Sequence, residues 1–184
     1  MLEQDSKGKI FKQTFPSETF SIIVHIFAGI VLTLLILPFK SFLVLILIIP
    51  ALLSLRGNIS GPFIARTARD LIIGEFSART WIENILATYF LSIITAAFIG
   101  ILSIFLNFLL FKHLILPIEI IIAIPIISML LTTSISIPCS TGLNYATFYY
   151  GLSPNNVVPP IMTATDDFLT IINFYITLLI LGVP

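Results

Sequence analysis

The sequence predicts an all-α integral membrane protein with five transmembrane helices, the second of them broken. Three observations carry that prediction. Of the 184 residues, 58% are hydrophobic and only 10% are charged, and the mean hydropathy is +1.11, the composition of a chain dissolved in lipid rather than of a soluble domain with a large core. The apolar residues gather into long runs separated by short polar or proline-bearing segments. At roughly 20 residues per crossing, the chain has room for about five crossings joined by short loops. Nine basic and nine acidic residues cancel, so no charged surface points to nucleic acid. The single Cys139 excludes an intrachain disulfide and any cysteine-cluster metal site.

Residues 1–19 are polar and carry Lys7, Lys9 and Lys12. They read as a cytoplasmic N-terminal tail, with 20–184 as the membrane domain. No small-residue cleavage site follows the first apolar run, so that run is a span and not a signal peptide. Span one covers Phe20–Leu37, with His25 as its titratable group, expected as a satisfied interhelical histidine. Pro38, Phe39 and Lys40 make the turn. Span two begins near Ser41, runs apolar to Leu55, is interrupted by Arg56-Gly57-Asn58 and Gly61-Pro62, and resumes over Phe63–Gly74. Non-helical backbone at membrane depth is tolerated only where it is buried in protein or lines a cavity, and broken helices place their ends at ion sites in several transporter folds. A short re-entrant kink, or a loop with Arg56 at the interface, would use the same residues.

Trp81 reads as an interfacial anchor. Span three, about Ile85–Phe111, carries no charge and ends at Lys112 and His113, a solvated end. Span four starts near Leu116 and contains Glu119, Pro125 and Pro138. Thr141–Asn156 is polar enough for a loop, and Ser153 to Asn156 reads as a turn. Span five is Val157–Val183. Arg66, Arg69, Asp70 and Glu75 form a charged rim, Glu119 is solvated or paired with Lys112, and Asn84 and Asn107 hydrogen-bond between helices. With the N-terminus cytoplasmic, the inside segments hold Lys7, Lys9, Lys12, Arg66, Arg69 and Arg79 against Lys40 and Lys112 outside. The positive-inside rule favours that arrangement and puts the C-terminus outside.

Asp166 and Asp167 fall inside the last apolar stretch, where a charge costs several kcal/mol and so usually faces a cavity or a pathway. On a helix turning about 100° per residue, Thr163, Asp166, Thr170, Asn173 and Thr177 form one polar stripe, with Asp167 toward its Thr163 edge. Carboxylate, hydroxyl and amide oxygens suit a hard, hydrated cation such as Mg²⁺, which sheds water reluctantly and needs one or two carboxylates per subunit. The competing reading is that the threonines bond neighbouring helices and the aspartates pair with an arginine such as Arg56.

Two segments resemble a known family. Residues 50–61 read PALLSLRGNISG and residues 69–75 read RDLIIGE. These are similar to the second membrane helix of MgtE-type Mg²⁺ channels and their eukaryotic solute-carrier relatives, with a proline, a few apolar residues, Gly-Asn, then Arg and Gly-Glu. Residues 154–170 read PNNVVPPIMTATDDFLT and resemble the start of that family's last helix, where an aspartate follows a proline by seven residues; counting from Pro160 lands on Asp167. The resemblance implies a homodimer with five spans per subunit and a pore on the dimer axis lined by the second and fifth spans. Asp167 then matches the ion-binding aspartate, Thr163 and Pro159 lie one and two turns toward the cytoplasm, and Gly57 and Asn58 match the Gly-Asn break. Arg69, Gly74 and Glu75 match positions of structural or cytoplasmic-mouth character. The family often has Gly-Gly-Asn where this chain has Arg56, a cation that opposes Mg²⁺ unless it pairs with a carboxylate or points away. The family's cytoplasmic sensor domains have no counterpart here, so their gating does not carry over.

The expectation is therefore a multi-pass cell-membrane transporter of divalent cations, most specifically Mg²⁺, with Asp167, Asp166, Thr163, Asn58, Gly57 and Thr170 as candidate metal residues. Two alternatives remain: a non-transporting subunit of a larger complex, and an intramembrane metal-dependent enzyme. The enzyme lacks a second acidic motif at comparable depth, a Ser/His pair and an H-E-x-x-H sequence.

Overall fold

Ser6 opens the first helix by accepting a hydrogen bond from the Lys9 amide at 3.4 Å. In the computed structural model, which describes residues 6–112 and 114–183, that helix is α1, Lys7–Leu32. A 3-10 turn, Thr33–Leu35, leads directly into the short α2, Ile36–Ser41. The three pieces make one 35-residue span. Helix thus begins at Lys7, thirteen residues before the expected start of span one at Phe20. Its Gln13 side chain accepts from the Ser153 amide and from Asn156 Nδ2, both at 3.1 Å, which ties the start of α1 to the turn before the last span. Met1–Asp5 of the expected tail, and His113 of the expected solvated end, lie outside the described residues.

The second span is α3, Val44–Ile72. It runs as one continuous α-helix, so the expected break at Arg56-Gly57-Asn58 and Gly61-Pro62 is absent. Each interior proline removes one backbone donor, which bends a helix without ending it. Gly57 and Gly61 are compatible with helix, and nothing packs within 4 Å of where their Cβ atoms would be. Two residues past the end of the helix, Gly74 takes the left-handed conformation with a φ of +74°. There the Glu75 amide closes the cap on the Asp70 carbonyl at 2.9 Å.

Two long helices follow: α4, Ala78–Phe111, capped by the Ser77 side chain on the Thr80 amide at 3.2 Å, and α5, Ile118–Tyr149. The expected loop at Thr141–Asn156 begins only after Tyr149. The hydroxyls of Thr141 and Thr147 donate to carbonyls one turn back, at 2.8 and 2.6 Å, so their polarity is satisfied within the helix. Helix α6, Pro154–Ile180, starts with proline at its first position. Among the described residues there is no strand, and five spans are long and apolar enough to cross a membrane.

Helix α3 lies at the centre and touches α4, α5 and α6, while α1 packs along α6 and α5 bridges α4 and α6. Leu45, Ile48 and Leu52 of α3 meet Ile121, Ile124 and Met129 of α5 and Phe174 and Leu178 of α6 in the buried core. Lipid offers no hydrophobic drive for helices to associate, so close packing and interhelical hydrogen bonds must do it. Gly100 of α4 shows the first: a Cβ there would stand 2.8 Å from Ile122 Cα of α5. Trp81, expected as an anchor, shows the second by donating from Nε1 to Thr141 Oγ1 at 3.1 Å.

Candidate functional site

Asp166 and Asp167 occupy the middle of α6, and consecutive positions point about 100° apart. Asp166 is completely buried, whereas the Asp167 side chain keeps 22% of its surface exposed. Facing them from α3 is Arg56, itself buried. Its Nη2 and Nε donate to Asp167 Oδ1 at 2.7 and 3.2 Å. Its Nη1 donates to Asp166 Oδ2 at 3.1 Å and to Ser60 Oγ, one turn further along α3, at 3.3 Å. The guanidinium fork therefore joins both carboxylates at once, and such charge-assisted bonds are the strong ones. From α1, His25 Nε2 lies 3.0 Å from Asp167 Oδ2. Two carboxylates against one guanidinium leave those three side chains one formal negative charge. Asp166 Oδ1 has no hydrogen-bond partner.

The polar stripe of α6 divides at this point. Beyond Asp166 it is buried and faces α5: Asn173 Nδ2 donates to Thr132 Oγ1 at 3.1 Å and Ser128 Oγ to Thr177 Oγ1 at 3.1 Å. Thr170 is buried too, and its hydroxyl donates back to the Asp166 carbonyl at 2.7 Å. Pro159 and Thr163, by contrast, are exposed. With Asp167 they stand on successive turns, so they form an outward line along α6.

On α3, Asn58 is two residues from Arg56, which places it about 200° around the helix. It is exposed and lines a groove of about 440 Å³ with Ser54, Leu55 and, from α4, Ile94, Thr95 and Phe98. Gly57 lies between the two and is half-buried. Within one chain, then, Asp166, Asp167 and Arg56 come together, Thr163 lies one turn from Asp167, and Asn58 stands away from the carboxylates. Among the described residues no group of three or more His, Cys, Asp or Glu side chains is arranged to hold a metal ion. A largely hydrated Mg²⁺ needs no such cage. Sequence reasoning named Arg56 as a possible partner of the aspartates but did not find Ser60 or the His25–Asp167 contact. The signal for Ser60 was its spacing of four from a charged residue inside an apolar span.

Residues 49–177 match the family model described as MgtE, divalent cation transporter. The chain belongs to the MgtE divalent cation transporter family. No curated protein and no solved structure matches it. The matched residues take in most of α3, all of α4 and α5, and α6 as far as Thr177, so both helices that carry the Arg56–aspartate cluster lie inside the MgtE match. His25, on α1, lies outside it. Divalent-cation transport by a multi-pass membrane protein is accordingly the general activity of this chain.

Proposed function

We propose that this MgtE-family chain carries Mg²⁺ across the membrane as a homodimer, along a passage between the two copies lined by α3 and α6, with Asp167 as the ion-binding carboxylate. The observation that carries this reading is the difference between neighbours. Asp167 keeps an exposed edge in line with Thr163 and Pro159, whereas Asp166 is sealed inside the bundle. A symmetric assembly brings the same face of each copy to the axis, so two Asp167 side chains can serve one ion that retains most of its water. Seven residues from Pro160 to Asp167 correspond to roughly 10 Å of helix rise, which sets the site at depth. With the N-terminus cytoplasmic, the basic residues at Arg66, Arg69 and Arg79 mark the inner side. Entry of a divalent cation then runs with the inside-negative potential, worth about 2.3 kcal/mol per charge per 100 mV.

The Arg56 fork also supports a second reading, in which the aspartates only lock α3 to α6 in a subunit that moves no ions itself. Purified protein in liposomes with an internal Mg²⁺ dye separates the two. Wild type is expected to admit Mg²⁺, and Asp167→Ala to lose the signal while eluting as a folded species. Unchanged flux in Asp167→Ala removes Asp167 from the mechanism, and a wild type that passes no ion until a partner subunit is added favours the locking role.

A further inference from the structure

A buried guanidinium in contact with a cation-binding carboxylate is, at first sight, an obstacle to transport. Arg56 makes three hydrogen bonds to Asp166 and Asp167 and a fourth to Ser60, and its burial contrasts with the exposed Arg66, Arg69 and Arg79. We propose that Arg56 is a specificity-determining residue: a tethered cation that occupies Asp167 when no metal is bound and that only a divalent ion displaces. The inference rests on the assignment of Asp167 to the ion pathway.

Competition for the carboxylate is one ground for this role. A monovalent ion brings the same charge as the guanidinium but not its two N–H groups, Nη2 and Nε, which converge on Asp167 Oδ1, so it has less with which to win that oxygen. A divalent ion doubles the Coulomb attraction at the same distance. The guanidinium released from Asp167 keeps its bonds to Asp166 Oδ2 and Ser60, so it need not become an unpaired buried charge while the ion passes. That gives a role to the fully buried Asp166: it holds Arg56 in reserve. Charge is the other ground. Two aspartates and one arginine leave each chain one net negative charge at the site, and a pair of chains two, which a single divalent ion neutralises. Without Arg56 the exposed Asp167 carboxylates of the two chains have no tethered cation to hold them, and a monovalent ion meets no competitor there.

The test measures Mg²⁺ and K⁺ flux by the purified chain in liposomes. In Arg56→Lys the charge remains and the fork is lost. In the double variant Arg56→Gln/Asp166→Asn the net charge remains, no aspartate is left buried beside a missing partner, and the tethered cation is gone. Both are expected to lower the Mg²⁺-to-K⁺ flux ratio by at least about tenfold, the worth of hydrogen bonds to a charged group, with the double variant more affected than Arg56→Lys. Arg79→Gln, which removes a positive charge from an exposed pair with Glu83, is expected to keep the wild-type ratio. A wild-type ratio in a folded Arg56→Lys or double variant overturns the proposal.

A measurement on wild type covers the case in which neither variant folds. The chain has four arginines, so ¹⁵N-arginine labelling gives four Nε signals, and the buried Arg56 is recognised by its slow exchange with water. Mg²⁺ is expected to shift that signal and speed its exchange, and K⁺ at equal ionic strength to leave it alone. An Arg56 signal indifferent to Mg²⁺ overturns the proposal. Asp167→Asn distinguishes this inference from the reading beneath it. Unchanged Mg²⁺ flux there refutes the assignment of Asp167, whatever Arg56 does. Flux lost in Asp167→Asn, with the ratio and the arginine signal both unaffected, refutes Arg56 alone.

Discussion

Two adjacent aspartates with the same chemistry receive different environments because a helix turns about 100° between them. Asp166 faces the bundle and Asp167 the outer line of α6, so substituting them should fail in different ways. Asp166→Ala leaves Arg56 with one carboxylate and removes a fully buried partner, and breaking a buried pair by deleting one member costs about 3–5 kcal/mol. A fall in the midpoint of thermal unfolding in detergent, much larger than the fall in Asp167→Ala, is the expected result; equal midpoints would mean that Asp166 does not hold Arg56. His25 is a milder case. Its contact with Asp167 is at 3.0 Å, but its side chain is 43% exposed, and exposed pairs are worth about 0–1 kcal/mol. His25→Ala should therefore leave the unfolding midpoint almost unchanged. The buried Arg56 was the departure from the MgtE pattern that the sequence made visible, and it pairs with both carboxylates. Which side of the bundle each aspartate takes was open in the sequence, because an ideal helical wheel put Asp166 at the centre of the polar stripe and the family spacing pointed to Asp167.

At the scale of the helices, hydropathy located all five spans but misjudged where polar residues end a helix. Gly57, Asn58 and Gly61 looked like a break and lie inside continuous helix; Thr141 to Tyr149 looked like a loop and is the last part of α5. In both places composition argued for coil, while each hydroxyl or missing donor could be accommodated without leaving the helix. The packing of α4 on α5 depends on a position that composition does not flag. Gly100 lets the two backbones approach, and Gly100→Val would put side-chain atoms where a Cβ alone is already 2.8 Å from Ile122 Cα. Main chain cannot swing aside as a side chain can, so the helices must separate. Gly100→Val should lower the unfolding midpoint, whereas Gly29→Val, on an open face of α1, should not; similar midpoints would show that α4 and α5 tolerate the separation.

At the scale of the whole molecule, the described residues of one chain hold the exposed edge of Asp167 and no preassembled metal cage, and the proposed passage accordingly runs between two copies. Cysteine cross-linking tests that directly. In a background with Cys139→Ser, Thr163→Cys on the exposed line of α6 should form a disulfide between copies in native membranes, and a cysteine at the outward-facing Phe105 of α4 should not. Efficient linking at Phe105 with none at Thr163 would move the interface to another face. The chain by itself determined that this is a five-span MgtE-type membrane protein with acidic residues at depth, because hydropathy over some 20 residues and short motifs are local properties. Only the tertiary structure decided that Arg56 reaches Asp166 and Asp167 across separations of 110 and 111 residues, and that Asn58 does not join them. Those contacts depend on how far each helix is rotated about its axis, and that rotation is set by packing against neighbours rather than by any run of residues.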